Sequence, residues 1–148
     1  MQPPPLIAQL ELILRQLVVE HRGLLAALEA HEAALRSCAV EKIERASRDQ
    51  DAARQKIAAV ESRRRQIAHQ LARQHRSLKP MTVALLGDLY PDRKASLVAI
   101  RAELAEIAAR IQQKSSLIAR VAQTVLGHVN ATLRLVAVAA GGGAATYT

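Results

Sequence analysis

The sequence predicts an all-α protein: an elongated antiparallel bundle of three long helices with coiled-coil-like packing. A heptad seam runs through the middle of the chain, where apolar residues recur at alternating steps of four and three. This spacing keeps one edge of a helix against a partner helix. Phe and Trp are absent and only two Tyr occur, although half of the residues are apolar. The core must therefore be built from Leu, Ile, Val and Ala, the usual palette of helical bundles.

The first long helix is predicted at about residues 5–36. It begins near Pro4 or Pro5, because proline suits a first helical turn. Its seam is Ile7, Leu10, Leu14, Leu17, His21, Leu24, Leu28, His31 and Leu35. Leu6, Ile13, Val18 and Leu25 widen one side of this seam. The wider stripe indicates contact with two neighbouring helices.

The second long helix is predicted at about residues 38–78. Ser37 and Cys38 mark a reversal, with Ser37 as a candidate N-cap. So short a connection makes the first two helices antiparallel neighbours. The seam of this helix is Ala39, Ile43, Ala46, Gln50, Ala53, Ile57, Val60, Arg64, Ile67, Leu71, Gln74 and Leu78.

A break separates the second helix from the third. Pro80, Gly87 and Pro91 bound it, with room for a short fourth helix around 81–87. Asp92 or Ser96 is the expected cap of the third long helix, at about residues 93–140. The glycines at 141–143 are expected to end that helix and to begin a flexible tail over 141–148. Residues 1–140 are thus predicted to form a single domain.

The last long helix is unusually apolar in its second half. A second stripe lies there beside the seam: Leu117, Val121, Leu126, Val129, Leu133 and Val136. A helix that is apolar on so much of its circumference is either buried all round or meets a partner. Three thin helices can hardly bury it all, so the stripe is a candidate binding surface.

The charge of the chain is +8 and is unevenly placed. Residues 38–94 carry thirteen basic against seven acidic residues, whereas residues 1–37 carry three against four. A basic helix is usually a solvated face, and otherwise it meets nucleic acid or an acidic partner. The candidate arginines are Arg45, Arg48, Arg54, Arg63, Arg65, Arg73 and Arg76. Nucleic acid is disfavoured because no aromatic residues for base stacking are interleaved with them.

Signals of catalysis, of metal binding and of membrane insertion are weak. No two of the five His have the i, i+4 spacing of paired metal ligands, and no phosphate-binding glycine loop precedes a helix. The single Cys38 favours a reducing, cytoplasmic setting. Charged residues from Glu11 to Arg22 interrupt the first apolar stretch, and no signal peptide is evident. The sequence therefore predicts no enzyme, no metal, no cofactor and no membrane insertion.

The order of these features resembles the FlgN-like flagellar export chaperones. Four features carry the resemblance: a leucine-rich first helix with recurring Glu, two short patterns in the second helix, a Leu-Leu-Gly triplet, and a small-residue tail ending in Thr-Tyr. The residues are Leu10, Leu14, Leu17, Glu20, Leu24, Leu25, Leu28, Glu29, Glu32, Leu35, Val40, Glu41, Lys42, Lys56, Ile57, Val60, Glu61, Arg64, Leu85, Leu86, Gly87, Thr146 and Tyr147. Ser115 and Ser116 stand where the family often has Asn, and the basic charge is atypical of it.

The resemblance implies a cytoplasmic chaperone that binds the C-terminal helical segments of hook-associated, or hook–filament junction, proteins before type III export. The implied client-binding residues are Leu117, Val121, Val125, Leu126, Val129, Leu133 and Val136. Tyr147 is implied to dock to a component of the export gate. Two alternatives stay open at this point: a basic helical nucleic-acid-binding protein, and a structural coiled-coil oligomer. A homodimer is compatible with the same seams.

Overall fold

The computed structural model describes residues 2–146, and the surroundings of side chains for residues 2–141. It consists of four helices: α1 (Leu6–Arg36), α2 (Val40–Gln74), α3 (Val83–Leu89) and α4 (Lys94–Thr146). A 3-10 turn, Pro91–Arg93, joins α3 to α4. No strand occurs within residues 2–146. The predicted all-α bundle of three long helices and one short helix is confirmed.

Helix α1 is the shared element of the bundle. It packs along both α2 and α4, whereas the backbones of α2 and α4 do not approach each other within the described residues. Both the seam of α1 and its widened side are buried, for example Leu14 in the seam and Ile13 and Val18 beside it. The predicted contact of this helix with two neighbours is thereby confirmed.

Helices α1 and α4 run parallel, each antiparallel to α2. Polar pairs between them advance together along both helices: Glu11 pairs with Arg93, Arg22 with Glu103, and Glu32 with Lys114. The Arg93 Nη1–Glu11 Oε2 and Lys114 Nζ–Glu32 Oε2 distances are both 2.6 Å. These pairs fix the register of α4 on α1.

Two apolar clusters fill the bundle. The larger one, at the end where α3 lies, centres on Leu71, Leu86 and Leu97, which are almost completely buried. The smaller one, near the α1–α2 turn, joins Leu24, Leu28 and Leu35 to Ile118. Tyr90 packs on the larger cluster, and its hydroxyl lies 2.7 Å from Nε2 of His75.

The α1–α2 turn differs from the prediction. Ser37 does not cap α2: it follows α1, and its Oγ donates to the carbonyl of Ala34 at 3.2 Å. Cys38 has a φ of 52° and the amide of Ala39 donates to the carbonyl of Ala34 at 3.1 Å. This bond and the left-handed residue before it are the signature of a Schellman motif. The reversal therefore uses Cys38 as the left-handed residue, and α2 starts only at Val40.

The end of α2 has the same Schellman motif. Arg76 has a φ of 49°, and the amide of Ser77 donates to the carbonyl of Ala72 at 2.8 Å. The helix therefore ends at Gln74 and not at Leu78. The chain then turns back towards Thr82, whose Oγ1 accepts from the amide of Leu85 and so caps α3.

The boundaries of α4 also differ from the prediction. Asp92 lies in the 3-10 turn and Ser96 lies inside α4, so neither is its cap. The helix continues through the glycines at 141–143 to Thr146 instead of ending at residue 140. No glycine in the described residues has a positive φ, so the left-handed C-cap expected there is not formed.

Candidate interaction surface

Helix α4 extends beyond the rest of the bundle. Its partner α1 ends at Arg36, and Ile118 is the last buried side chain of the described part of α4. Helix α4 continues to Thr146. At about 1.5 Å per residue, the segment beyond Ile118 extends roughly 40 Å. We call this segment, residues 119–146, the α4 extension.

The structure divides the seven predicted client-binding residues into two groups. Leu117, Val121 and Val125 are half-buried, and Val121 packs against the smaller apolar cluster. The other four are exposed, with relative accessibilities between 48% and 61%: Leu126, Val129, Leu133 and Val136. From residue 126 to residue 141 every side chain is exposed. The predicted stripe therefore begins at the edge of the bundle core and leaves it.

The exposed stripe continues the side of α4 that faces the bundle. Ile111, Ile118, Val125, Val129 and Val136 follow one another at steps of seven, seven, four and seven. Such steps stay on one side of a 3.6-residue helix. Ile111 packs against both clusters and Ile118 is buried, so this side is a core face up to Ile118, is half-buried at Val125 and is exposed from residue 126 onwards.

Polar groups occupy the opposite side of the α4 extension. Arg120, Gln123, Asn130 and Arg134 all lie more than a quarter-turn from Ile118 on the helical wheel. Thr124 also lies away from Ile118, whereas Thr132 lies on the stripe side; both bond back to the carbonyls four residues earlier, at 3.0 and 2.9 Å. The extension is thus an amphipathic helix, although Leu135 and Val138 add exposed apolar surface outside the stripe.

One helical segment, within 91–141, is long and apolar enough to cross a membrane by length and composition alone. Its most apolar window is unburied. Arg120 and Arg134 lie in this region, and an arginine at the centre of a membrane helix costs about 2.5–3.5 kcal/mol on insertion scales. A one-sided polar face suits a helix that packs on a protein better than a helix surrounded by lipid.

Three ion pairs hold α4 against α1 and so set the direction in which the α4 extension leaves the bundle. The Glu11 carboxylate accepts from Ser96 Oγ at 2.6 Å, from Arg15 and from Arg93, and these bonds lower its pKa to about 2. The hydrogen bond from Lys114, assisted by Arg36, likewise holds the pKa of Glu32 below its ordinary value. Arg22 pairs with Glu103 between them. No sequence pattern marks these residues as a set, since only the parallel register of α1 and α4 brings them together.

The chemistry of the remaining side chains is sparse. Within the described residues, no group of three or more His, Cys, Asp and Glu is placed to hold a metal ion. Cys38 is exposed at the α1–α2 turn. The seven candidate arginines of the nucleic-acid alternative are all exposed, on α2 and directly after it. Tyr147 lies outside the described residues.

These observations define a class of protein: a small helical bundle whose longest helix carries an uncovered, amphipathic face. The family model of the FlgN protein matches residues 1–148, the whole chain. The chain belongs to the FlgN family, whose members are flagellar export chaperones that bind hook-associated proteins. A search of curated proteins and a search of solved structures each found no match.

Proposed function

We propose that this chaperone binds the C-terminal helical segments of hook-associated proteins in the cytoplasm, through the apolar stripe of α4, before their type III export. The observation that supports this proposal is the continuation of the core face of α4 beyond Ile118, which is exposed from residue 126 onwards. The proposed client-binding residues are Leu117, Val121, Val125, Leu126, Val129, Leu133 and Val136.

The geometry suggests how a client helix would dock. In the bundle, side chains of α1 and α2 cover α4 up to Ile118 and Val121. Past the α1–α2 turn, a client helix would take over the place of α1 and α2 and extend the bundle. Leu126, Val129 and Leu133 are spaced three and four residues apart, as anchors of a helix-on-helix interface are. Docking would also hide the apolar face of the client until export.

The energetics permit reversible binding. Burying about 1,000 Å² of apolar surface yields roughly 25 kcal/mol of gross hydrophobic free energy. Most of this is offset by ordering the client segment and by lost rotational and translational freedom. Micromolar to nanomolar affinity is what remains, which suits a chaperone that must release its client.

The first prediction concerns the stripe. Replacing Leu126 and Leu133 with Asp places two charges on the docking face, so calorimetric titration with a hook-associated C-terminal segment should show affinity reduced at least about a hundredfold. The matched control replaces Val19 and Val98, which are also exposed apolar residues but lie on the bundle, with Asp. Unchanged binding by the stripe variant would contradict the proposal, as would equal loss in the control.

The second prediction concerns Tyr147, which we propose as a docking residue for a component of the export gate. One tyrosine supplies a large contact area with few rotatable bonds and is a frequent hot spot. Tyr147→Ala should weaken capture of the chaperone–client complex by the gate component about tenfold or more. Client affinity should stay unchanged in the same titration, because the stripe is not altered. Full gate binding by Tyr147→Ala would refute this role.

A further inference from the structure

The end of the bundle opposite the α4 extension carries an uncompensated positive charge. Between Glu61 and Asp88 the chain contains six basic residues and no Asp or Glu. Arg64 pairs with Glu61. The other five are exposed and form no ion pair in the part of the chain whose side chains are described: Arg63, Arg65, Arg73, Arg76 and Lys79.

The turn after α2 places part of this charge beside a concave surface. Because Arg76 adopts the left-handed conformation, residues 77–81 fold back beside the last turns of α2. Ser77 Oγ donates to the carbonyl of Lys79 at 2.9 Å and accepts from its amide at 3.2 Å, which braces the turn. A groove of about 390 Å³ results between α2 and this segment. We call it the α2–loop groove.

The α2–loop groove combines an apolar floor with a cationic rim. Ala68, Ala72 and Met81 are half-buried and line it. Arg65 and Lys79 stand at its edges, and Leu78 is fully exposed at its lip, at 104% relative accessibility. A solvated helix face needs neither the fully exposed leucine nor the concave apolar floor, so the groove has the composition of a binding site.

We propose that the α2–loop groove docks an acidic, amphipathic segment of a protein partner other than the client. Carboxylates of that segment would pair with Arg65 and Lys79, and one apolar side chain would pack on Leu78 and Ala72. Charge complementarity selects the acidic partner. The apolar floor favours a polypeptide over nucleic acid, because Ala68, Ala72 and Met81 offer surface to an apolar side chain, whereas the described lining residues include one ring for base stacking, His69, and no Phe, Tyr or Trp.

Its position allows the groove and the stripe to work at the same time. Leu71, near the groove, shares the larger cluster with Leu97 at the start of α4. From Leu97 to Leu126, α4 rises roughly 40 Å at about 1.5 Å per residue. A client on the stripe therefore leaves the groove open, and the groove is able to recruit a second protein to a loaded or an empty chaperone.

Fluorescence anisotropy on the full chain tests this proposal with a labelled helical peptide of Glu, Leu and Ala. Arg65→Glu with Lys79→Glu should weaken binding about tenfold or more, and Leu78→Ser should weaken it several-fold. The matched control, Arg45→Glu with Arg48→Glu, changes two exposed arginines on the first half of the same helix. It should stay within about twofold of the parent chain.

Three further arms make the result decisive. The Leu126→Asp, Leu133→Asp variant should bind the acidic peptide as the parent chain does, which separates the groove from the client stripe. A peptide with Gln in place of Glu should bind weakly. Equal weakening by the control arginine variant, or tighter binding of a labelled single-stranded RNA than of the acidic peptide, would overturn the proposal.

Discussion

Glu11 accepts the hydrogen bonds that connect α1 to the start of α4. Its carboxylate, 13% exposed, accepts hydrogen bonds from Ser96, Arg15 and Arg93. The bond from Ser96 contributes most to a pKa lowered to about 2. A carboxylate bonded to three donors, on α1, on the 3-10 turn and on α4, resists both protonation and displacement. Glu11 therefore sets the register from which α4 leaves the bundle.

Glu11→Gln should destabilise the protein by about 2 kcal/mol at neutral pH, because it removes the charge that these donors stabilise. The folded-state pKa lies below the unfolded one, so this stabilisation is fully present above about pH 5 and is lost as the pH falls towards 2. Urea unfolding of the two proteins at several pH values measures the difference, which should shrink across this window.

The matched control for this measurement is Glu44→Gln, which alters an exposed carboxylate of α2 that makes no ion pair within the described side chains. It should change the free energy of unfolding by no more than about 0.5 kcal/mol at any pH. A Glu11→Gln deficit that persists undiminished at pH 2 would show that packing, and not the charge, makes Glu11 important.

Two polar residues of the α2 seam show what the sequence predicts at a single position and what it does not. Gln50 breaks the seam in sequence, yet it is buried and its Nε2 contacts Nδ1 of His31, another seam position, across the α1–α2 interface. Arg64 also lies in the seam and pairs with Glu61 one turn away. The heptad pattern placed Gln50 on the interface correctly, and Arg64 is half-buried. The pattern contained no information on which polar partner each would find.

At the scale of elements, periodicity predicted the helices and the bounds of α1, but it missed both ends of α2. The seams located three long helices because apolar spacing is a property of the whole segment. The ends of α1 and α2 depend on Cys38 and Arg76, which take the left-handed conformation. Glycine or asparagine would have signalled such a residue in the sequence, whereas cysteine and arginine do not.

For α4 the sequence predicted a helix end that the structure does not have. Three consecutive glycines predicted an end at residue 140, but glycine lowers helix propensity by only about 1 kcal/mol per residue relative to alanine and does not forbid a helix. Helix α4 continues to Thr146. Propensity is therefore a weaker boundary signal than a left-handed turn closed by backbone hydrogen bonds.

The sequence predicted that the stripe is apolar and that the bundle can hardly bury all of it, but not which of its residues are exposed. Helical spacing gave six of the candidate residues, and the family resemblance implied the set of seven that includes Val125. That Leu117, Val121 and Val125 are half-buried and the other four exposed depends on where α1 ends against α4. This register comes from pairs such as Glu32 with Lys114, which are 82 residues apart in the chain. No local pattern encodes it.

At the scale of the whole molecule, α4 divides into a structural half that packs in the bundle and an exposed half that we propose binds the client. The structural half buries Leu97, Ile100, Ile107 and Ile118 against the other helices. The α4 extension, by contrast, has only exposed side chains from residue 126 to residue 141. Stability and binding should therefore be separable by the place at which the chain is cut.

A chain ending at Val125 keeps both apolar clusters, so its free energy of unfolding in urea should match the full chain within about 0.5 kcal/mol. A chain ending at Ala109 loses Ile111 and Ile118 and should be destabilised by several kcal/mol. Both should lose the client. Equal destabilisation by the two cuts would mean that a second copy covers the stripe in the free protein, and sedimentation would then show a dimer that the shorter chains cannot form.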